Sequence, residues 1–389
     1  MPVLHLDTET FNKADLGAAG TYRYAETAEI MLLTYAWDDD GPVRCIDFTD
    51  PDRKVQEVEE RLGGLSMGAP IDAVFPDTTF VAHNAMFDRN VLRLGNLKVE
   101  IPIERWECTM VQALVHALPP SLAQLGKVLG LPADQQKLAE GRKLIRRFCK
   151  PAPRNHKANR YTRETHPELW TRFIEYAKQD VAAMRECRKR MPKWNWQADT
   201  IAEWHLDQRI NDRGFAVDRA LVEAGARAAV MEKKLLASRF SALTGGLSPT
   251  QRDKVKQFIA DEHLMYLDGT AKHIITPLID DPDTPPEVRE ISEIMLMANK
   301  TSTAKYAAMR DALSTDGRFR GGIQFAGASR TRRGAGRTFQ PHNLPSRGLP
   351  KSERIEAYIS ALKDGAQDLL FDDLMLYGAA ALRGIVVAE

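Results

Sequence analysis

The sequence has little of several things, and each shortage narrows the field. Its longest apolar runs fall well short of the ~18 residues that suggest a membrane span. The opening MPVLHLDTET has no basic segment followed by an apolar one, which argues against a secretory signal. Only four cysteines occur (Cys45, Cys108, Cys149, Cys187), none in a C-x-x-C pair. That spacing predicts no disulfide framework and no zinc knuckle, and it suits a reduced, cytoplasmic setting. Charge of one sign is also missing: 54 Lys and Arg stand against 53 Asp and Glu, for a net charge of +1. Bulk electrostatics therefore points to no partner, and only the local distribution of charge can. No internal repeat or low-complexity block is visible.

What is present is the composition of a globular protein, 43% hydrophobic and 28% charged over 389 residues. That length suits about two or three domains. Residues 1–110 read as α/β. Apolar strands are predicted at 3–7, 30–37, 43–48 and 79–83, and a helix at about 86–94. Helical spacing resumes from Ser121, with Leu122, Leu125, Val128 and Leu129 on one face. The polar, basic stretch 137–165 holds Pro151 and Pro153 and reads as a loop. A strong helix follows over 167–190. Pro192 and the tryptophan-rich KWNWQ mark a domain boundary near 195, with Trp194 and Trp196 expected to pack between domains. Helical patterns dominate from 197 to 312. A candidate strand lies at 322–327, and an apolar segment at 385–388.

Acidic residues recur in a telling arrangement. Asp7 and Glu9 stand two apart on a predicted strand, so both point to one face. Asn84-Ala85-Met86-Phe87-Asp88 sits where a strand meets a helix. Tyr176 and Asp180 stand four apart on a predicted helix and share a face. Each piece alone has an ordinary reading: D-x-E is common by chance, Asp88 suits a helix cap, and Y-x-x-x-D is often a surface pair. Their conjunction in this order is specific. Phosphodiester hydrolysis by two hard cations about 3.5–4 Å apart calls for such an inventory of oxygen ligands, with a phenol to orient the attacking water. His83 is expected to brace the second motif.

These residues carry a resemblance. LDTET, NAMFD and YAKQD resemble the three motifs of the proofreading exonuclease domain of family A DNA polymerases (the DNA polymerase I family), within the DnaQ-like superfamily. The resemblance implies an α/β, RNase H-like domain with a mixed sheet over 1–195. It implies that Asp7, Glu9, Asp88 and Asp180 bind two Mg²⁺ or Mn²⁺ ions and that Tyr176 positions the nucleophilic water. A sister group has a histidine five residues before the last aspartate. Glu175 stands there in this chain, so the tyrosine class is the match.

A second resemblance lies further on. Seven arginines fall between 318 and 347, and no Asp or Glu falls between 317 and 352. On charge alone this is equally a disordered basic loop or a phosphate-tracking surface. GASRTRRGAGRTFQPHNLPSR resembles the thumb-to-palm segment of phage-type family A polymerases, which contacts the primer-template duplex. The resemblance implies DNA contacts from Arg333, Arg337, Gln340 and Asn343, which fall on its matching positions, and the neighbouring Arg330 and Arg332 are further candidate contacts. Ser329 and Arg332 depart from it, standing where the family usually has glycine. Residues 196–389 would then be a mainly helical thumb-like region with the start of a palm. No palm or fingers catalytic motif is present, so a second chain or a continuation is expected to carry them.

The expected function is a two-metal 3′→5′ DNA exonuclease of a split or truncated family A polymerase, acting on single-stranded 3′ ends and holding primer-template duplex. A non-catalytic DNA-binding scaffold subunit and an RNase D-like exoribonuclease are the alternatives. The intact carboxylate quartet disfavours the first, and the arginine segment disfavours the second.

Overall fold

The structure is a computed structural model, and it describes residues 1–132, 140–156, 158–298, 303–328, 331–344 and 348–388. The chain forms two compact units, one of residues 1–215 and 312–338, the other of residues 216–311 and 339–389.

The first unit is built on a five-stranded mixed sheet. Its strands are β1 (Val3–Phe11), β2 (Glu29–Trp37), β3 (Arg44–Asp47), β4 (Thr79–Ala82) and β5 (Trp106–Cys108), in the spatial order β3-β2-β1-β4-β5. The β1–β2 and β2–β3 pairs are antiparallel, and β1–β4 and β4–β5 are parallel. β2 reads EIMLLTYAW because both faces of the sheet are covered, so alternation gives way to a nearly continuous apolar run. On one face pack Leu4, Leu6, Phe80, Trp106 and Trp204. On the other, Phe11, Met31 and Leu32 meet the Pro167–Arg190 helix through Trp170, Phe173 and Tyr176. The α/β class with a mixed sheet is as expected, and the Pro167–Arg190 helix has the predicted bounds.

Two expectations are corrected. The stretch 137–165 is not all loop: Gly141–Phe148 is a helix. It turns Leu144 and Phe148 into the core and leaves Arg142, Lys143 and Arg146 exposed, so its short apolar stripe is outweighed by charge when read along the sequence. Trp194 is 72% exposed, edge-on to His116, while Trp196 buries in the first unit's own core against Trp204.

The division between units falls after Phe215. The helix Ala198–Arg213 stays with the first unit because Trp204 is in its core and His205 Nε2 bonds the Trp106 carbonyl at 2.9 Å. Residues 312–338 return to it as well. Asn211 holds the Ile323 backbone at both ends, with Oδ1 accepting from the amide and Nδ2 donating to the carbonyl, each at 3.0 Å. The expected strand at 322–327 is reduced to Ile323–Gln324, paired with Ala335–Gly336.

The second unit is mainly helical. Leu236 and Phe240 of the Arg219–Leu243 helix pack with Val255, Ile259, Val288 and Ile291 in its core. Ala216 and Val217 pair with Val387 and Val386. No described helix is long and apolar enough to cross a membrane.

Candidate active site

β1 lies in the middle of the sheet and carries Asp7 and Glu9 towards one end. Asp7 stands opposite Thr34 and Glu9 opposite Leu32, and the register shifts by a bulge between Glu9 and Thr10. Bulges re-aim side chains and are common beside active sites. The Pro167–Arg190 helix crosses the same face and brings Asp180 to this pair. Ligand oxygens of Asp7, Glu9 and Asp180 all lie within 4.8 Å of one another. Glu9 and Asp180 are buried.

The second motif arrives by a sharp turn. Asn84 ends the β4 connection with φ 73° and ψ 49°, a left-handed conformation that asparagine tolerates better than most residues. The helix Ala85–Leu94 starts at once, and Asp88 falls in its first turn. Asp88 is only 2% exposed, and its Oδ1 accepts from the Thr8 amide at 3.0 Å and the Thr8 hydroxyl at 2.8 Å. Burial pushes its carboxyl up to about 7 against the lowering effect of the two Thr8 bonds. Asp88 lines the same cavity as the other three carboxylates but stands outside their 4.8 Å cluster. His83 bonds Thr109 Oγ1 at 2.9 Å and the Pro120 carbonyl at 2.8 Å, both outside the second motif.

Tyr176 is fully buried in a ladder of rings: it stacks on Phe173 at 6.2 Å, and Phe173 stacks on Phe148 at 5.2 Å. Burial first, then the charges of Asp180, Glu9 and Asp7, raise its phenol far above the ordinary range. It therefore stays a neutral O–H, able to orient a water but not to deprotonate one.

The cavity around these groups measures about 370 Å³. Ile145, Cys149 and Lys150 also line it; they fall in the Lys143–Lys150 run, which the sequence offers as a solvated face or a single-strand DNA contact without showing its helix. The Cys149 thiol donates to Glu9 Oε2 at 3.6 Å. Burial and the neighbouring carboxylate raise its pKa, keeping it a donor. Lys150 meets Asp15 at 2.8 Å in an exposed pair. Thr8 was legible only as the residue between two acids.

The arginine segment divides by role. Arg318 and Arg320 are structural: Arg318 Nε donates to the Arg213 carbonyl at 2.7 Å, and Arg320 grips both Asp316 oxygens at 2.8 and 2.7 Å. Arg332, Arg333 and Arg337 are exposed on the first unit. Gln340 and Asn343 belong to the second unit, where Asn343 Nδ2 donates to Gln340 Oε1. Arg330 lies outside the described residues. Arg332 has φ +55°, a left-handed conformation. Glycine adopts that conformation without strain.

No family model matches the chain. A curated protein does: it is 35% identical to the DNA polymerase of Bacillus phage SP02 over 383 residues, which are 97% of this chain and 56% of the relative. This chain is similar in sequence to part of a phage DNA polymerase. It spans about half the length of that relative. Among solved structures it is similar to the POL domain of Pol1 from M. smegmatis, in a complex with DNA primer-template and dNTP. The TM-score is 0.51 at 11% identity, over 89% of this chain and 52% of the other. At that identity the likeness concerns the fold.

Proposed function

We propose that the first unit is a two-metal 3′→5′ exonuclease acting on DNA. The observation that carries this is the convergence of Asp7, Glu9 and Asp180 within 4.8 Å, with Asp88 and Tyr176 on the same cavity. The donor set is all oxygen, which fits hard divalent cations such as Mg²⁺ or Mn²⁺. When bound, such a pair supplies an activated water and stabilises the leaving oxygen of an in-line displacement. Asp7, Glu9 and Asp180 would hold the cations, with Asp88 as a fourth ligand through its second oxygen. The Tyr176 hydroxyl would orient the water, Cys149 would steady Glu9, and Lys150 at the cavity wall would meet a strand phosphate.

A scaffold role offers no account of this cluster, since burying like charges side by side is costly unless something is held between them. An RNA substrate is a weaker reading for a chain similar in sequence to part of a DNA polymerase. The exposed Arg332 and Arg333, with Gln340 and Asn343, are proposed as duplex contacts.

Product analysis tests the reading. Single-stranded DNA in Mg²⁺ should release 5′-mononucleotides from its 3′ end, and a mismatched 3′ terminus should be cut faster than a paired one because melting a paired end costs a few kcal/mol more. Equal cleavage of RNA and DNA, or equal rates on matched and mismatched ends across a temperature series, would contradict it.

A further inference from the structure

Thr8 separates Asp7 from Glu9 along β1, and the alternation of a strand turns it to the opposite face, the face of Leu6. On that side β1 outruns its neighbour. Its parallel pairing with β4 runs Val3 with Thr79, Leu4 with Phe80 and His5 with Val81. β4 ends at Ala82, whereas β1 continues to Phe11. A buried strand amide past the end of its ladder still needs an acceptor. For Thr8 that acceptor is a side chain. Asp88 Oδ1 takes the Thr8 amide at 3.0 Å and the Thr8 hydroxyl at 2.8 Å. Thr8 is 5% exposed and Asp88 2%, so both bonds are shielded from water.

A carboxylate oxygen has two lone pairs, and Thr8 occupies both of those on Oδ1. Asp88 therefore has Oδ2 to offer a cation and cannot chelate one with both oxygens. The approach of Asp88 makes this matter. Its helix packs on the Leu6 face through Ala85, Val91 and Leu92, whereas the Pro167–Arg190 helix brings Asp180 over the other face. Asp88 comes round the end of the sheet to line the cavity, outside the 4.8 Å cluster of the other three carboxylates. Groups that orient a metal ligand in this way typically change metal affinity by roughly 10–100-fold when they are removed.

We propose that Thr8 is a positioning residue for metal binding: its hydroxyl, beside its amide, fixes the Asp88 carboxyl so that Oδ2 alone serves one of the two cations. This rests on the two-metal reading of the site and goes beyond it by giving a role to the residue between two ligands.

Mn²⁺ binding to the full chain, read from the EPR signal of the free ion with thymidine 5′-monophosphate present, tests this without cleavage. Asp88→Asn keeps an oxygen for the two Thr8 donors and puts an NH₂ group, which has no lone pair for a cation, in place of Oδ2. It should lose one class of bound Mn²⁺ and so define it. Thr8→Val keeps the branched shape and the amide but lacks the hydroxyl. It should weaken that class about tenfold, and Thr8→Ser should restore most of the loss. In the Asp88→Asn background, Thr8→Val should change nothing further, which a general disturbance of β1 would not allow. Thr8→Ala takes the place of valine if circular dichroism shows that valine disturbs the fold. The Mg²⁺ concentration for half-maximal cleavage should rise in step, with the rate at saturating Mg²⁺ largely kept. Native Mn²⁺ affinity in Thr8→Val, a serine variant as weak as the valine one, or a valine effect of equal size with and without the Asp88 carboxylate would each overturn the proposal. So would native Mn²⁺ binding in Asp88→Asn. The two readings fail separately. The expected Mn²⁺ pattern without hydrolysis of DNA would sink the exonuclease assignment alone, and hydrolysis with Mn²⁺ binding indifferent to Thr8 would sink the role of Thr8 alone.

Discussion

Gly141 lies against the ring of Tyr176 so closely that a Cβ there would stand 2.1 Å from Cε2 and 2.6 Å from Cδ2. Alanine ordinarily improves a helix over glycine by about 1 kcal/mol. At this position it would instead push the phenol away from Asp180. Gly141→Ala should lower stability by about 1–3 kcal/mol, the usual cost of overpacking. It should also cut exonuclease activity at least as far as Tyr176→Phe does. Lys143→Ala, on the exposed side of the same helix, is the control. Urea unfolding and initial rates measured together check both effects, and a Gly141→Ala variant as active and stable as Lys143→Ala contradicts the packing described.

Much of the site was legible because its spacings are local. A period of two puts Asp7 and Glu9 on one side of β1, and a period near four puts Tyr176 and Asp180 on one side of a helix. The Pro167–Arg190 helix was readable to its ends, with proline at its start and Arg188, Lys189 and Arg190 in its last turn. What escaped depends on distant partners. The Gly141–Phe148 helix shows only Leu144, Ile145 and Phe148 among its charges, and its apolar face exists because Trp170 and Phe173 are there to meet it. β5 is three residues long and is a strand only because β4 lies beside it. The return of 312–338 to the first unit hangs on pairs such as Asn211 with Ile323, which no local pattern announces.

Asp207 gives a pH dependence away from the carboxylate cluster. Burial pushes its carboxyl up to about 6, against the bonds from Gln208 and Asn211. Between its unfolded value near 3.8 and about 6, the folded chain therefore binds more protons at this group than the unfolded chain does, so its contribution to stability falls as pH rises through that window. Asp207→Asn keeps an acceptor for both amides and removes the titration. Relative to the native chain, the variant should gain roughly 2–3 kcal/mol between pH 4 and pH 7. Denaturant melts at the two pH values measure the difference, and a constant gap between the two proteins would refute it.

Arg332 carries a positive φ that glycine adopts without strain. Arg332→Gly should leave stability unchanged to within about 1 kcal/mol, since relief of strain offsets the added freedom of the unfolded chain. If the exposed guanidinium meets duplex phosphate, the slope of log affinity against log salt should fall in magnitude by about 0.9. A wild-type slope removes Arg332 from the duplex contacts.

The central claim is that Asp7, Glu9, Asp88 and Asp180 hold the cations of an exonuclease. Digestion of a 5′-labelled single-stranded DNA by the full chain tests it most directly. The account predicts a ladder of shortening labelled products in Mg²⁺ or Mn²⁺, no ladder in EDTA, near-complete loss in Asp7→Ala and Asp180→Ala, and a slower ladder in Tyr176→Phe. A ladder that persists unchanged in EDTA or in Asp180→Ala would contradict it, as would a native chain that leaves the DNA intact in both metals.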